Sequence, residues 1–209
     1  MQLSRSVRES LEEYCSLILK WNKKINLISK TTESDIWERH IIDSAQIYNY
    51  IENKETDVIC DIGSGSGLPG LVLSIMGCNN ILIIESDTKK CSFLNFASNL
   101  SSGNIIIKNN RIEDFSTTDE IKNIRNFENN LEFNKIDYIT SRAFATIDKI
   151  LSHSIFLKPK KALLLLKGEN YQKELEQAKE NWHFKCECYN SLTNTRSALI
   201  KITNVSKKN

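Results

Sequence analysis

The sequence predicts an α/β fold, a mainly parallel sheet between helices, with a helical extension in front of it. Three observations lead there. Nearly pure apolar runs at 58–62, 81–85, 104–108, 136–140 and 162–167 alternate with segments of helical periodicity, and such runs mark strands buried on both faces. The first run empties into a loop holding four of the seven glycines and then directly into an apolar segment, 71–76, which is a strand, turn and helix. Ahead of it, Leu3, Val7, Leu11, Tyr14, Leu17, Ile18 and Trp21 recur at steps of three and four between charged residues, as in an amphipathic helix.

Residues 1–52 are therefore expected to form an N-terminal helical extension packed on the core, and 53–209 a single structural unit. Within the extension, Lys20 to Ile28 alternates large apolar residues with asparagine and lysine, as expected for a helix end and turn packed on the main domain. Thr32 followed by Asp35 is expected to cap a second helix, in which His40 and Asp43 share a face. Such a pair suits a polar contact between helices, with a proton relay as the alternative.

Composition narrows the class. A chain of 209 residues with 40% apolar side chains can bury a sizeable core. The net charge of +2 neither demands nor excludes nucleic acid, so any RNA contact must come from local basic patches. The start lacks a signal-like apolar stretch, and nowhere do about 18 apolar residues run together. A cytoplasmic protein with no membrane partner is expected, and a monomer. The six cysteines contain no C-x-x-C pair, so packed, reduced thiols are expected and no metal site.

The loop from Asp61 to Gly70 fits two cradles. Gly65, Gly67 and Gly70 match the dinucleotide pattern G-x-G-x-x-G, whereas Asp61, Gly63, Gly65 and Gly67 match the D-x-G-x-G-x-G signature of enzymes that use S-adenosylmethionine. Charge discriminates. A carboxylate at the strand end repels a pyrophosphate but attracts the ammonium and sulfonium of S-adenosylmethionine. Glu85, 22 residues beyond Gly63 at the tip of the second strand, suits ribose hydroxyls in either class.

Further along, Ser86 or Asp87 opens a helix carrying Phe93, Leu94 and Ala97. The third strand leads into Arg111-Ile112-Glu113-Asp114-Phe115, where Ile112 is placed to cover an adenine and a polar group to take its amine. Residues 116–134 turn polar and asparagine-rich and read as a surface insertion. The fourth strand delivers Ser141-Arg142-Ala143-Phe144-Ala145 to the carboxyl edge of the sheet, where open α/β sheets bind ligands. That segment has neither the Asp/Asn-Pro-Pro-aromatic motif of amine methylation nor the nucleophilic cysteine of pyrimidine methylation. Arg142 suits the cofactor or a guanine O6/N7 edge, or a structural ion pair; Phe144 suits base stacking or the core. Two closing strands are expected at 184–189 and 198–203, with a frayed tail from Ser206.

With these blocks assembled, the sequence resembles the bacterial small-subunit ribosomal RNA guanine-N7 methyltransferase family RsmG, also called glucose-inhibited division protein B. The marks are Trp21-Asn22 with Ile25-Asn26-Leu27, Arg39-His40 with Asp43-Ser44, the stretch 61–70, Arg111 to Phe115, Ser141 to Ala145, and Lys167-Gly168. The resemblance implies a seven-stranded Rossmann-like class I S-adenosylmethionine-dependent methyltransferase acting on a guanine of 16S rRNA, naked or in a small-subunit assembly particle. It also implies that Gly63, Leu68, Ile112, Glu113 and Arg142 contact the cofactor, with Glu85 at the ribose. The alternatives are an NAD-dependent oxidoreductase and a noncatalytic RNA-binding scaffold with a vestigial pocket.

Overall fold

The structure, a computed structural model, describes residues 3–116 and 135–208. The polar segment expected at 116–134 thus lies, beyond its first residue, outside the described residues. Seven strands form one sheet in the order β3-β2-β1-β4-β5-β7-β6. They are β1 (Val58–Ile62), β2 (Asn80–Glu85), β3 (Asn104–Asn109), β4 (Tyr138–Arg142), β5 (Ala162–Lys167), β6 (Trp182–Asn190) and β7 (Ala198–Lys207). The first five pair in parallel, and β7 runs antiparallel to both β5 and β6. The expected tail from Ser206 is instead paired: β7 continues to Lys207, which lies opposite Trp182.

Successive side chains of a strand point to opposite faces, and the two cores follow that period of two. Ile59, Ile81, Ile83, Leu164 and Leu166 face one core, whereas Cys60, Leu82, Ile84, Leu163 and Leu165 face the other. Helix α1 (Arg5–Asn22) covers the first face together with α3 (Gly70–Ile75) and α4 (Thr88–Ala97), through Leu11, Tyr14, Ile18, Leu71, Phe93 and Leu94. Helices α5 (Ile147–Leu157) and α6 (Tyr171–Asn181) cover the second. The N-terminal helices therefore share a core with the sheet. Burying such side chains stabilises the fold by roughly 1.5–3 kcal/mol each.

The local signals act largely as expected. Ser4 caps α1 by accepting the Val7 N–H, and Asp87 caps α4 by accepting those of Lys89 and Lys90. Asn22 pins the turn after α1: its oxygen accepts the Leu27 and Ile28 N–H groups while its amide donates to Ile28 O and Glu33. One expectation is corrected. Thr32 does not cap the second helix, because its hydroxyl faces His40 (2.8 Å) and donates to Ser29 O. The segment is composite: a π-type turn Trp37–Ile42, the short α2 (Asp43–Ala45) and a 3₁₀ turn Gln46–Tyr50. Among the described residues no helix is long and apolar enough to cross a membrane, and Cys186 and Cys188 are exposed, unlike the four packed thiols.

Candidate active site

The strand order reverses between β1 and β4, and their carboxyl ends open a crevice there. Asp61, one residue before the end of β1, is fully buried. Its carboxylate accepts hydrogen bonds from Ser64 Oγ (2.5 Å), the Gly70 N–H (2.9 Å) and Thr140 Oγ1 (3.1 Å). Burial pushes its pKa up to about 6 against the pull of those donors. Asp61 therefore braces the loop from inside and makes no surface to the crevice.

The glycine N–H groups are all committed within the protein. Gly63 donates to Ile84 O (2.9 Å), Gly65 to Glu85 Oε2 (2.8 Å), Gly67 to Ser64 O (3.0 Å) and Gly70 to Asp61. Such a loop presents no fan of donors to a pyrophosphate. Gly63 and Gly65 need glycine for different reasons. At Gly63, with φ +65°, an added Cβ would lie 2.0 Å from the Phe144 ring. At Gly65, with φ +60°, a Cβ would meet open space, so only the backbone conformation restricts it. Leu68 is buried in the core beneath the loop, and the Tyr14 hydroxyl donates to Ser66 O.

A cavity of about 450 Å³ lies over this loop, bounded by Gly63, Gly65, Glu85, Ile112, Glu113 and Phe144. Glu85 is buried, with its second oxygen on the Asp87 N–H (2.9 Å). Ile112 is buried, whereas the Glu113 carboxylate is half exposed, 3.9 Å from Lys149 Nζ. A second cavity, about 520 Å³, is bounded by Arg39, Asp43, Phe144, Lys167, Glu174 and Asn194. Ala143 and Phe144 line both. Ala143 takes a left-handed φ of +51°, which costs a non-glycine residue about 1–2 kcal/mol and turns the chain where Phe144 covers Gly63.

Arg142 is placed by the N-terminal extension. Its Nε donates to Asp43 (3.0 Å), and its Nη2 to Arg39 O (3.0 Å) and His40 Nδ1 (2.8 Å). With Nδ1 accepting, His40 is neutral and its Nε2–H is left for Thr32, whose own proton goes to Ser29 O. Burial, then the adjacent Arg142 charge, lowers the His40 pKa to about 4. The structural ion pair is thus present, and the sequence pairing of His40 with Asp43 is a clamp on a third residue. Lys167, which the sequence offered only as a mark of the resemblance, and Glu174, which it did not single out, stand on the second cavity's wall. Lys167 Nζ donates to Ala145 O and to Glu174 (2.8 Å), tying the chain next to Phe144.

Known proteins resemble this chain in sequence or in architecture. Residues 7–201 match the family model described as GidB, rRNA small subunit methyltransferase G. The ribosomal RNA small subunit methyltransferase G of Rickettsia massiliae (strain Mtu5) is 40% identical over 99% of this chain and 98% of its own. That of Orientia tsutsugamushi (strain Boryong) is 41% identical over 96% and 92%. Among solved structures, magnesium protoporphyrin IX methyltransferase from Synechocystis PCC 6803 with bound SAM superposes with a TM-score of 0.56 at 13% identity, covering 96% of this chain and 97% of its own. Fibrillarin in its complex with Nop5p gives 0.54 at 15% identity, over 79% and 80%. These two share the fold. The near full-length match in sequence shows that the chain belongs to the rRNA small subunit methyltransferase G family.

Proposed function

We propose that this protein transfers the methyl group of S-adenosylmethionine to nitrogen-7 of one guanine in 16S rRNA, and does so as a cytoplasmic monomer. The observation that carries the reading is the pair of cavities meeting at Ala143 and Phe144. One suits the cofactor and the other a base, with the transfer at their common wall. The residues present fit S-adenosylmethionine: the loop backbone is open at Gly65, crowded under Phe144 at Gly63, and has no glycine N–H left for a phosphate. That last point opposes the NAD reading.

Under this proposal Gly63, Gly65 and Gly67 form the cradle, with Leu68 holding it to the core. Glu85 takes the ribose hydroxyls on the lone pairs that Gly65 and Asp87 leave open, and Ile112 and Glu113 take the adenine. Asp61 and Glu85 keep the cradle's end of the cavity negative, which suits a cation. The sulfonium supplies an activated methyl group. Guanine N7 carries an available lone pair, so the protein needs no general base, and its contribution is alignment. Phe144 stacks on the guanine, while the clamp of Asp43 and His40 holds Arg142 on the base's side of the wall. No cysteine serves as nucleophile: Cys60 is fully buried and burial keeps its thiol protonated, as it does for Cys91, pushed up to about 11.

Purified protein incubated with radiolabelled S-adenosylmethionine and 16S rRNA or small subunits tests the proposal. Methylation at N7 makes the imidazole ring cationic and labile, so borohydride and aniline should cleave at a single guanine. Label on an exocyclic amine, a ribose or a pyrimidine carbon would overturn the assignment. Sedimentation of the protein alone checks the monomer.

A further inference from the structure

His153 carries an unexplained polar atom. It sits on α5, 7% exposed, and its Nε2 is sealed from solvent without a hydrogen-bond partner among the described residues. An unsatisfied buried donor costs about 1–3 kcal/mol, so its retention calls for a partner. Two groups flank the ring. Phe144 lies at 6.3 Å between centroids, and Glu113 Oε1 stands 3.8 Å from Nε2, about 1 Å beyond hydrogen-bond length. Both line the cavity over the glycine loop. Glu113 is half exposed and, among the described residues, the only other opposite charge within 4 Å of it is Lys149, at 3.9 Å, so the carboxylate is held loosely. Burial holds the imidazole neutral, with the charge of Glu113 opposing and that of Lys149 reinforcing this. Neutral imidazole can offer one N–H, and the carboxylate is the acceptor within reach.

We propose that His153 is a positioning residue for the cofactor: when the adenosine end of the ligand is seated, the Glu113 carboxylate closes onto His153 Nε2–H, leaving its other oxygen for the adenine amine. This rests on the cavity being the S-adenosylmethionine site. Exclusion of water by the ligand strengthens the bond, since a charge-assisted hydrogen bond gains in a low-dielectric site. The ring contact passes the same order to Phe144.

S-adenosylhomocysteine binding to the full chain, by calorimetry and by long-range ¹H–¹⁵N spectra of the three histidines, tests the latch. The ligand should move the His153 Nε2 resonance in the wild type and not in Glu113→Ala. His153→Phe should weaken binding about tenfold or more, the loss expected for a hydrogen bond to a charged acceptor. His153→Gln, which keeps a donor, should stay within about twofold. In the Glu113→Ala background, His153→Phe should cost nothing further. Equal losses with and without Glu113, or wild-type affinity in His153→Phe, would overturn the latch. Should His153→Phe fail to fold, an unmoved His153 resonance on ligand addition overturns it alone. A wild-type protein that binds no S-adenosylhomocysteine would refute the cofactor reading itself, and the latch with it.

Discussion

The loops after β1 and β4 face each other across the crevice, yet they are held in opposite ways. The glycine loop is closed largely by near neighbours: Ser64 reaches Asp61 three residues back, and Gly65 reaches Glu85 twenty residues on, with Tyr14 on Ser66 O and Thr140 on Asp61 as its distant ties. The loop carrying Phe144 depends on distant chain, since Arg142 is fixed by Asp43 and His40, 99 and 102 residues earlier. Closing the longer loop costs more chain entropy, though only about 0.6 kcal/mol per doubling of length. What differs more is failure. A defect at Gly65 falls on one cavity, whereas loss of the clamp unties the N-terminal extension from the wall between both.

The sharpest way to break the comparison is at Gly63. Gly63→Val should abolish S-adenosylhomocysteine binding in calorimetry, because its side chain must displace the Phe144 ring and adopt a left-handed backbone. Gly65→Ala meets open space and should lose only the backbone term, about 1–2 kcal/mol of stability in urea unfolding. If the two behave alike, steric contact with Phe144 is not what distinguishes the positions.

Next comes the clamp. Asp43 and Arg142 are each mostly buried, at 14% and 20% side-chain exposure. Removing either partner leaves the other's charge uncompensated, so Asp43→Asn or Arg142→Met should each cost about 2–3 kcal/mol, at or just below the range for broken buried pairs. The double variant should cost less than the sum, and an additive result would remove the ion pair from the argument.

Acid separates the regions by sign. Asp61 has a folded pKa of about 6 against 3.8 unperturbed, so the folded state takes the extra proton and this group's contribution falls as pH rises from about 4 to 6. His40 has a folded pKa of about 4 against 6.5, so the unfolded chain takes the proton first and stability falls as pH drops through that window. Each effect is on the order of 2–3 kcal/mol, and in the wild type they offset. Asp61→Asn should therefore lose stability more steeply than wild type between pH 6.5 and 4, and His40→Gln should reverse that slope. Denaturation midpoints across the range check both.

The smallest effects belong to the RNA surface. Lys23, Lys24, Arg39, Lys160, Lys161 and Arg196 are the basic candidates that the sequence offers. Lys161 is taken by Glu52 and Asp57 at the amino end of the sheet, and Lys160 is beside it. Arg39 lines the second cavity, and Arg196 is in the loop that closes it, against Glu169. Alanine at Arg39 or Arg196 should flatten the salt dependence of RNA binding by about one unit each, and at Lys160 or Lys161 by none. Equal slopes for all four would show that the RNA does not lie on the cavity's side.

The strands, the glycine turn and the cap of α4 were legible because each depends on residues close in sequence, whereas Thr32, expected as a cap, is drawn to His40. Buried parallel strands leave continuous apolar runs, and Asp87 caps α4 from the adjacent position. Asp61 shows the limit: its presence at the strand end was legible, but its direction, inward onto Thr140 of another strand, was not. His153 was invisible for the same reason, since its meaning arises only where α5 packs against Ile112 and Glu113.

By itself, then, the sequence determined the α/β class, the cofactor-type loop and the family, because local periodicity, backbone permissiveness and ordered motifs are written along the chain. Only the tertiary structure decided that Arg142 is gripped by the N-terminal extension and that Phe144 closes over Gly63. It also made one pair of residues the wall of two cavities. Those are contacts between segments about 80 to 100 residues apart, and no spacing rule specifies them, because they are selected by the packing of whole faces around the sheet.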